Sequence, residues 1–436
     1  MQAYESFQRR FTKKSIKNHY LSKASINSSV GLDRITPNSF YSNINKHIEV
    51  IRRKVLNGTY SFTRYRQLLI VKSADKPPRS ICIPTIRDKL ALSLTNDMLY
   101  DIYGKVCMTP MPQILINNII SNLGKYTHFI KIDIQSFYSS INQENMLKTL
   151  KVKIRKKEII SLIENAITTP SISAGAKSRF VTRRDKGIPE GLPISNSLAN
   201  LYMKNIDFKY GNLAEIEYFR YVDDILILLN EEKFSFIKQM IEKDIVKLDL
   251  SINEKRDEGK VEKGFTYLGY SINPQIISVR ESSIIKFEQS LEQLFRDVKK
   301  SNNIAYIEWK ISLKVTGFVI NNHKYGWLFF YSQINDLNLL FHLDSLVKKF
   351  FKRYISYDSL KFKRFVRAYH EIRQSLKNTK YIPNFDIYTI ENKMDVLGKI
   401  YGIGVETMTK QEIEERFSTI ISREIQEFEK DVQDLS

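Results

Sequence analysis

The chain is poor in cysteine. Its 436 residues include 2, Cys82 and Cys107. Two thiols cannot by themselves make a zinc site, and they suit a reduced, cytosolic protein. Long apolar runs are also missing. Nothing approaches the roughly 18 residues that a bilayer-spanning helix needs, so no membrane span is expected. The opening residues 1–10 lack the apolar core of a signal peptide, and a cytoplasmic location follows as the expectation. Acidic residues are the scarcer charge, 48 against 68 lysines and arginines, which leaves a net charge of +20. That excess points to a polyanionic partner, nucleic acid before membrane. There is no internal repeat and no low-complexity segment. What remains is a chain that is 42% apolar, enough for a real core, and long enough for two or three subdomains.

The stretch Phe219-Arg220-Tyr221-Val222-Asp223-Asp224-Ile225-Leu226-Ile227-Leu228 sets two apolar runs around adjacent carboxylates. Val, Ile, Tyr and Phe favour strands and Asp favours turns, so the pattern predicts a β-hairpin with Asp223 and Asp224 at its tip. Two like charges there are costly unless a cation accompanies them, and a hard divalent ion with oxygen ligands, Mg²⁺ or Mn²⁺, fits. A solvated Asp-Asp turn is the plainer alternative. Phe129-Ile130-Lys131-Ile132-Asp133 reads as a second strand ending in a carboxylate. An Asp at a strand end often only caps the next helix. Yet carboxylates from neighbouring strands that hold two metals about 3.5–4 Å apart are the usual equipment of in-line nucleotidyl transfer. Asp133 and Asp223 could meet in that way.

The remaining chain supplies cations and loops. Residues 1–30 look helical and basic, with Arg9, Arg10, Lys13, Lys14, Lys17 and Lys23 interleaved with Phe7, Phe11, Ile16 and Tyr20. They read either as a solvated face or as a nucleic-acid contact. Gly31-Leu32-Asp33 marks a turn, and Thr36-Pro37-Asn38 a helix start. Residues 66–72 and 79–84 read as a strand pair joined by Ser73-Ala74-Asp75-Lys76-Pro77-Pro78. Lys72 and Arg79 flank that turn. They are either ordinary surface charges or a grip for a triphosphate. Residues 147–186 are densely basic, as phosphate neutralisation would require. Gly187-Ile188-Pro189-Glu190-Gly191-Leu192-Pro193 then leads into a helix with Ser or Asn near its start, a loop that lets a ligand approach the backbone closely. Residues 231–250 form an amphipathic helix, residues 265–272 a short hairpin, and residues 280–357 a helical, basic stretch. Near the C-terminus, Ile421, Ile425, Phe428, Val432 and Leu435 follow a four-three spacing. That seam either packs on its own subdomain or mediates a homo-oligomer.

The order of these parts resembles the reverse transcriptases, most closely the bacterial ones. Asp133 with Phe137 and Tyr138 looks like the family's first metal motif. Residues 187–200 resemble its template and nucleotide loop, and Tyr221-Val222-Asp223-Asp224 its YxDD box. Residues 250–255 resemble its lysine-bearing motif, and Tyr267-Leu268-Gly269 its primer-grip hairpin. Gly31-Leu32-Asp33 and residues 72–84 are similar to the fingers motifs of group II intron and retron enzymes. The resemblance covers about residues 30–275.

The resemblance implies an α+β right-hand fold. Residues 1–125 would be an N-terminal helix and fingers. Residues 126–275 would be palm, with an inserted fingers segment at about 145–186. Residues 276–357 would be a helical thumb and 358–436 a C-terminal helical extension. Asp133, Ile134, Asp223 and Asp224 become the metal-binding positions for two Mg²⁺ ions, or Mn²⁺. Asp133, Asp223, Asp224 and Lys255 become catalytic, with Lys255 donating a proton to departing pyrophosphate. Lys72 and Arg79 would hold the triphosphate of a dNTP, and Tyr138 would block a ribose 2′-OH. Pro189, Glu190 and Gly191 would line the nucleotide position, with Glu190 standing where many members carry Gln.

The chain shows no protease, RNase H, integrase or zinc-type endonuclease signature. It has a Val315-Thr316-Gly317 element as retrons do, but not their Asn-Ala-x-x-His. Its format looks like the stand-alone, defence-associated bacterial enzymes, including the abortive-infection kind. That implies an RNA template, a co-encoded structured non-coding RNA, and a DNA product in antiviral defence. Untemplated or protein-primed DNA synthesis, and a catalytically idle RNA-binding scaffold, are the alternatives.

Overall fold

The computed structural model describes residues 2–24, 30–70, 78–173, 182–254, 257–355 and 362–432. Two compact units emerge, one of residues 1–110 with 126–259, the other of residues 111–125 with 260–436.

The first unit opens with the helices Ala3–Arg10 and Lys13–His19. Phe7, Phe11, Ile16 and Tyr20 are all buried in the unit's core. The basic residues between them are partly claimed by acids of the same unit. Arg9 and Arg10 reach Asp101 at 2.8 Å, and Lys13 reaches Glu49 at 2.7 Å. These two helices therefore belong to the core through their apolar residues, with Arg9, Arg10 and Lys13 paired within the unit. Thr36 caps the helix Pro37–Ser42 by accepting from the Ser39 amide, with proline at the first turn where its missing N–H costs nothing.

The unit's strands are β1 (Tyr65–Ile70), β2 (Arg79–Ile83), β3 (His128–Asp133), β4 (Ser171–Ser173), β5 (Ile216–Tyr221), β6 (Asp224–Leu229) and β7 (Asp257–Lys260). They form two sheets, of order β2-β1-β4 and β5-β6-β3-β7. β1 and β2 are antiparallel with Ile70 opposite Arg79, as the strand-pair pattern predicts. The turn between them, with Lys72, lies outside the described residues, as does Lys255. In the larger sheet β6 lies between β5 and β3 and pairs antiparallel with both. All six β6 residues are buried. Cover on both faces is why Ile225-Leu226-Ile227-Leu228 runs apolar without alternating. The helix Ser195–Gly211 packs on β5 and the helix Glu231–Val246 on β3. The latter buries Ile237, Ile241 and Ile245, three of the apolar residues its periodicity predicts, while Phe234 and Leu248 are only partly covered.

In the second unit, β8 (Phe265–Tyr267), β9 (Tyr270–Ile272) and β10 (Ile277–Val279) form an antiparallel sheet. Leu268 and Gly269, at φ 47° and 77°, make the two-residue turn of the expected hairpin. Residues 280–357 are not all helical, as their composition predicts. The helices Glu281–Val298, Ile304–Thr316 and Leu337–Tyr354 are interrupted by β11 (Phe318–Ile320) and β12 (His323–Tyr325), which pair antiparallel. Asn321 and Asn322 turn the chain between them at φ 52° and 60°. Asn tolerates this left-handed conformation, and three-residue strands are too short to interrupt a helical composition visibly.

The last helix, Lys410–Lys430, starts at a capping box of Thr409 and Glu412. Phe417, Ile421, Ile425 and Phe428 pack with Leu313, Phe318 and Phe385. The four-three seam is thus covered by its own unit, which removes the reason to expect a homo-oligomer through it. Leu435 lies outside the described residues. Acids of this helix and its end pair with Lys310 and Lys314 of the same unit. Among the described residues, no helix is long and apolar enough to cross a membrane.

Candidate active site

The strand register brings the carboxylates together. Asp133, last in β3, stands directly opposite Asp224, first in β6. Directly opposed residues of an antiparallel pair project to the same face with Cβ atoms about 5 Å apart, and like charges so placed are destabilising. Asp223 sits in the adjoining turn, where its carbonyl accepts from the Ile134 amide at 3.3 Å. The hairpin tip is therefore Val222-Asp223 rather than the Asp pair, because Tyr221 and Asp224 already pair as strand residues. Val222 has φ 58°. A β-branched residue in that region costs on the order of 1–3 kcal/mol and persists only where its surroundings impose it.

The surroundings that impose it are visible. Nη1 of Arg220 donates to the Val222 carbonyl at 2.8 Å. The same guanidinium grips Asp207 through Nε at 2.7 Å and Nη2 at 2.6 Å, and also reaches Asn200 at 3.2 Å. Asp133 is fixed in a similar way. Nδ2 of Asn253 donates to its carboxylate at 2.6 Å, and the Asn253 amide donates to its carbonyl at 2.9 Å. An isolated bridge between Ile134 and Ile252 holds that segment in place. Neither Arg220 nor Asn253 carries a role on sequence grounds. Arg220 lies inside the strand pattern, and Asn253 lies beside the lysine that the motif highlights.

The loop at 187–191 lies against these elements. The Gly187 amide donates to the Ile141 carbonyl and the Ile188 amide to the Tyr138 carbonyl, both at 2.8 Å. Gly187 has φ 73°, and a Cβ there would fall 2.6 Å from Ser139 backbone atoms, so only glycine fits. The helix that follows begins at Ser195, but Ser195 is no N-cap. Its hydroxyl donates instead to the Pro189 carbonyl at 2.5 Å. Arg79 donates through Nε to Oε1 of Glu190 at 2.6 Å and also through Nη2. This bond to Glu190 raises the Arg79 pKa, with the charges of Glu190 and Asp223 adding to it. Tyr138 donates to Asn196 at 2.5 Å. Burial pushes its phenol well up, and the charges of Glu190 and Asp223 push it further. Tyr221 shifts the same way, through burial and then Asp223. Arg79, Tyr138, Glu190 and Asp223 thus share one electrostatic neighbourhood.

An all-oxygen donor set on adjacent strand ends has the chemistry of a hard divalent cation site. Asp133, Asp223 and Asp224 would hold such an ion, and Ile134 has only its backbone to offer. Among the described residues, however, no three His, Cys, Asp or Glu side chains are gathered into a metal cage. One Asp133 oxygen is engaged by Asn253 instead.

Residues 70–272 match the family model described as reverse transcriptase (RNA-dependent DNA polymerase). One curated relative, an uncharacterized 91 kDa protein in the cob intron of Schizosaccharomyces pombe, is 27% identical over 186 residues. The match takes in 39% of this chain and 22% of that protein's length. Among solved structures, apo telomerase from Candida tropicalis aligns at 15% identity over 93% of this chain and 70% of its own, with a TM-score of 0.43. A truncated form gives 17%, 55%, 60% and 0.39. Telomerase from Candida albicans with a TWJ fragment of telomeric RNA gives 12%, 92%, 68% and 0.44. Scores of this size carry no argument about function. The family match rests instead on the stretch that holds Arg79, Asp133, Tyr138, Glu190, Asp223 and Asp224, so over residues 70–272 the chain is similar to the reverse transcriptases (RNA-dependent DNA polymerases).

Proposed function

We propose that the protein makes DNA on an RNA template by two-metal nucleotidyl transfer at Asp133, Asp223 and Asp224. The observation that carries this reading is the register that sets Asp133 opposite Asp224 with Asp223 in the next turn. A scaffold that only binds RNA gains nothing from like charges placed there, against both stability and the approach of a phosphate backbone. When bound, Mg²⁺ or Mn²⁺ supplies activation of the primer 3′-OH and neutralises the departing phosphates. Asn253 keeps Asp133 in position, and the Arg220–Asp207 pair holds the turn that presents Asp223. Arg79 binds the triphosphate, and Pro189 and Gly191 shape the loop beside it. Lys72 and Lys255 retain the triphosphate and proton-donor roles that the family resemblance implies.

Tyr138 discriminates against ribonucleotides through its ring. Tyr138→Ala should admit ribonucleotides, raising their incorporation relative to dNTPs by about 10–100-fold, the scale of 1–3 kcal/mol in a substrate pocket. Competition assays with paired rNTP and dNTP check this, and unchanged discrimination would move the gate elsewhere.

RNA binding draws on the basic load of residues 147–186. An open cavity of about 560 Å³ there is lined by Lys151, Arg155 and Lys157 with Ile154, Ile160, Ser161 and Glu164. Affinity for RNA should fall steeply with salt, by about 10³-fold between 50 and 200 mM if six or so phosphates are neutralised. A filter-binding series that comes out nearly flat contradicts that.

The template is a structured, co-encoded RNA, and the setting is bacterial antiviral defence. This rests on the resemblance of the motifs to the defence-associated bacterial enzymes. A second reading, favoured by the relative in the cob intron, takes an intron transcript as the RNA. Sequencing the DNA and RNA that co-purify with the protein tests both. DNA complementary to one bound RNA supports templated synthesis, and that RNA's origin separates the two settings. DNA without a complementary RNA, or DNA linked to a protein hydroxyl, supports untemplated or protein-primed synthesis instead. RNA with no DNA supports the idle scaffold.

A further inference from the structure

We propose that Glu190 and Arg79 form a latch at the nucleotide position. The ion pair closes it, the incoming triphosphate opens it, and Glu190 is thereby the residue that sets nucleotide affinity. This rests on the polymerase reading above.

Both halves of the latch are anchored by backbone. Arg79 is the first residue of β2. Glu190 is tied to the same strand, because its carbonyl accepts from the Cys82 amide at 2.7 Å. The next residue, Gly191, has φ 95°, and a Cβ there would lie 2.6 Å from Cγ2 of Ile81 and 2.9 Å from the Cys82 carbonyl oxygen. The loop therefore lies flat on β2, and the carboxylate stays within reach of Arg79. The Arg79 side chain is 40% exposed and that of Glu190 18%. A ligand from solvent can reach the cation more readily than the acid behind it. The charge of Asp223, like that of Glu190, helps to raise the Arg79 pKa.

Charge then dictates the behaviour. Arg79 offers Nε and Nη2 to one Glu190 oxygen, and that fork is the geometry that binds phosphate bidentately. Carboxylate and phosphate compete for the same donors. An incoming nucleotide must displace Glu190 and then lie beside the carboxylate it has released. Glutamine has the same shape but no charge. It keeps the loop and bonds Arg79 more weakly, and it does not repel phosphate. Both effects run in one direction, so glutamate lowers nucleotide affinity relative to glutamine.

The test uses full-length protein on a primed RNA template, with titrated dTTP, and separately measures binding of a fluorescent mant-dNTP without turnover. Glu190→Gln should lower the dTTP KM and the mant-dNTP Kd by about five-fold, the scale of a partly exposed ion pair. Arg79→Gln should raise both constants, and adding Glu190→Gln to it should recover clearly less than Glu190→Gln gains in the wild type, because only the repulsion of phosphate is left to relieve. That shrinkage marks a direct pair, whereas two separate structural roles would give equal gains in both backgrounds. If the glutamine variant is unstable, Glu190→Ser reports in the same direction. Incorporation by wild type with an unchanged or raised KM in Glu190→Gln overturns the latch and leaves the polymerase standing. Neither incorporation nor nucleotide binding by the wild type overturns both.

Discussion

Asp223→Ala is expected to reduce nucleotide incorporation by about a thousand-fold or more, because a carboxylate holding a catalytic cation supports several kcal/mol of transition-state stabilisation. RNA affinity should stay close to wild type, since lysines and arginines elsewhere carry it. The fold should survive as well. Asp223 lies in the turn, and alanine retains the carbonyl that the Ile134 amide donates to. Primer extension, filter binding and a thermal melt on the same preparation check the three statements together. Retained extension in Asp223→Ala sinks the assignment of this residue.

Lys310→Met should destabilise the second unit by about 3–5 kcal/mol, the usual cost of leaving a buried charge without its partner. The Lys310 ammonium lies 2.8 Å from both oxygens of Glu424 and 2.9 Å from Glu427. Its side chain is 8% exposed and that of Glu424 6%. Burial works against charge on this lysine, yet Glu424 and Glu427 outweigh it and raise its pKa. Methionine keeps the length of the side chain and abandons the Glu424 charge. Lys310→Met combined with Glu424→Leu should recover most of the loss, because two apolar side chains replace the buried charges and only the Tyr401 hydroxyl, which donates to Glu424 at 3.1 Å, loses a partner. Denaturant melts of the single and double variants decide the matter. A single variant as stable as wild type would mean the pair contributes nothing. The same packing predicts that deleting residues 411–436 exposes Leu313, Phe318 and Phe385 and destabilises the unit rather than changing its oligomeric state.

Local pattern made much of this legible in the sequence. Two apolar runs around Asp223-Asp224 specify a hairpin, and a third run ending at Asp133 specifies its neighbour. Register then follows from pairing apolar strands along their length. The cap at Thr36, the hairpin turn at Leu268-Gly269 and the buried stripe of the helix Glu231–Val246 are local in the same sense. What escaped was long-range. Nothing near Arg220 announces that it braces the Val222 carbonyl, because its partner Asp207 lies on another element. The partners of Arg9, Arg10 and Lys13 are not legible locally, because Asp101 and Glu49 are distant in sequence. Glu190 stands out in the sequence only as an acid where many members carry Gln, and its pairing with Arg79 appears only once β2 and the loop are side by side. The C-terminal seam could have faced a second chain or its own, and only the folded unit shows Phe318 and Phe385 covering it.

The central claim is templated synthesis at the three aspartates. Its most direct measurement is extension of a DNA primer on an RNA of defined sequence by the purified protein with Mg²⁺ and dNTPs, with the product sequenced. The account predicts DNA complementary to the supplied RNA, dependent on the divalent ion, and absent with Asp133→Ala or Asp223→Ala. A product whose sequence ignores the template, or extension that persists in both variants, would contradict it.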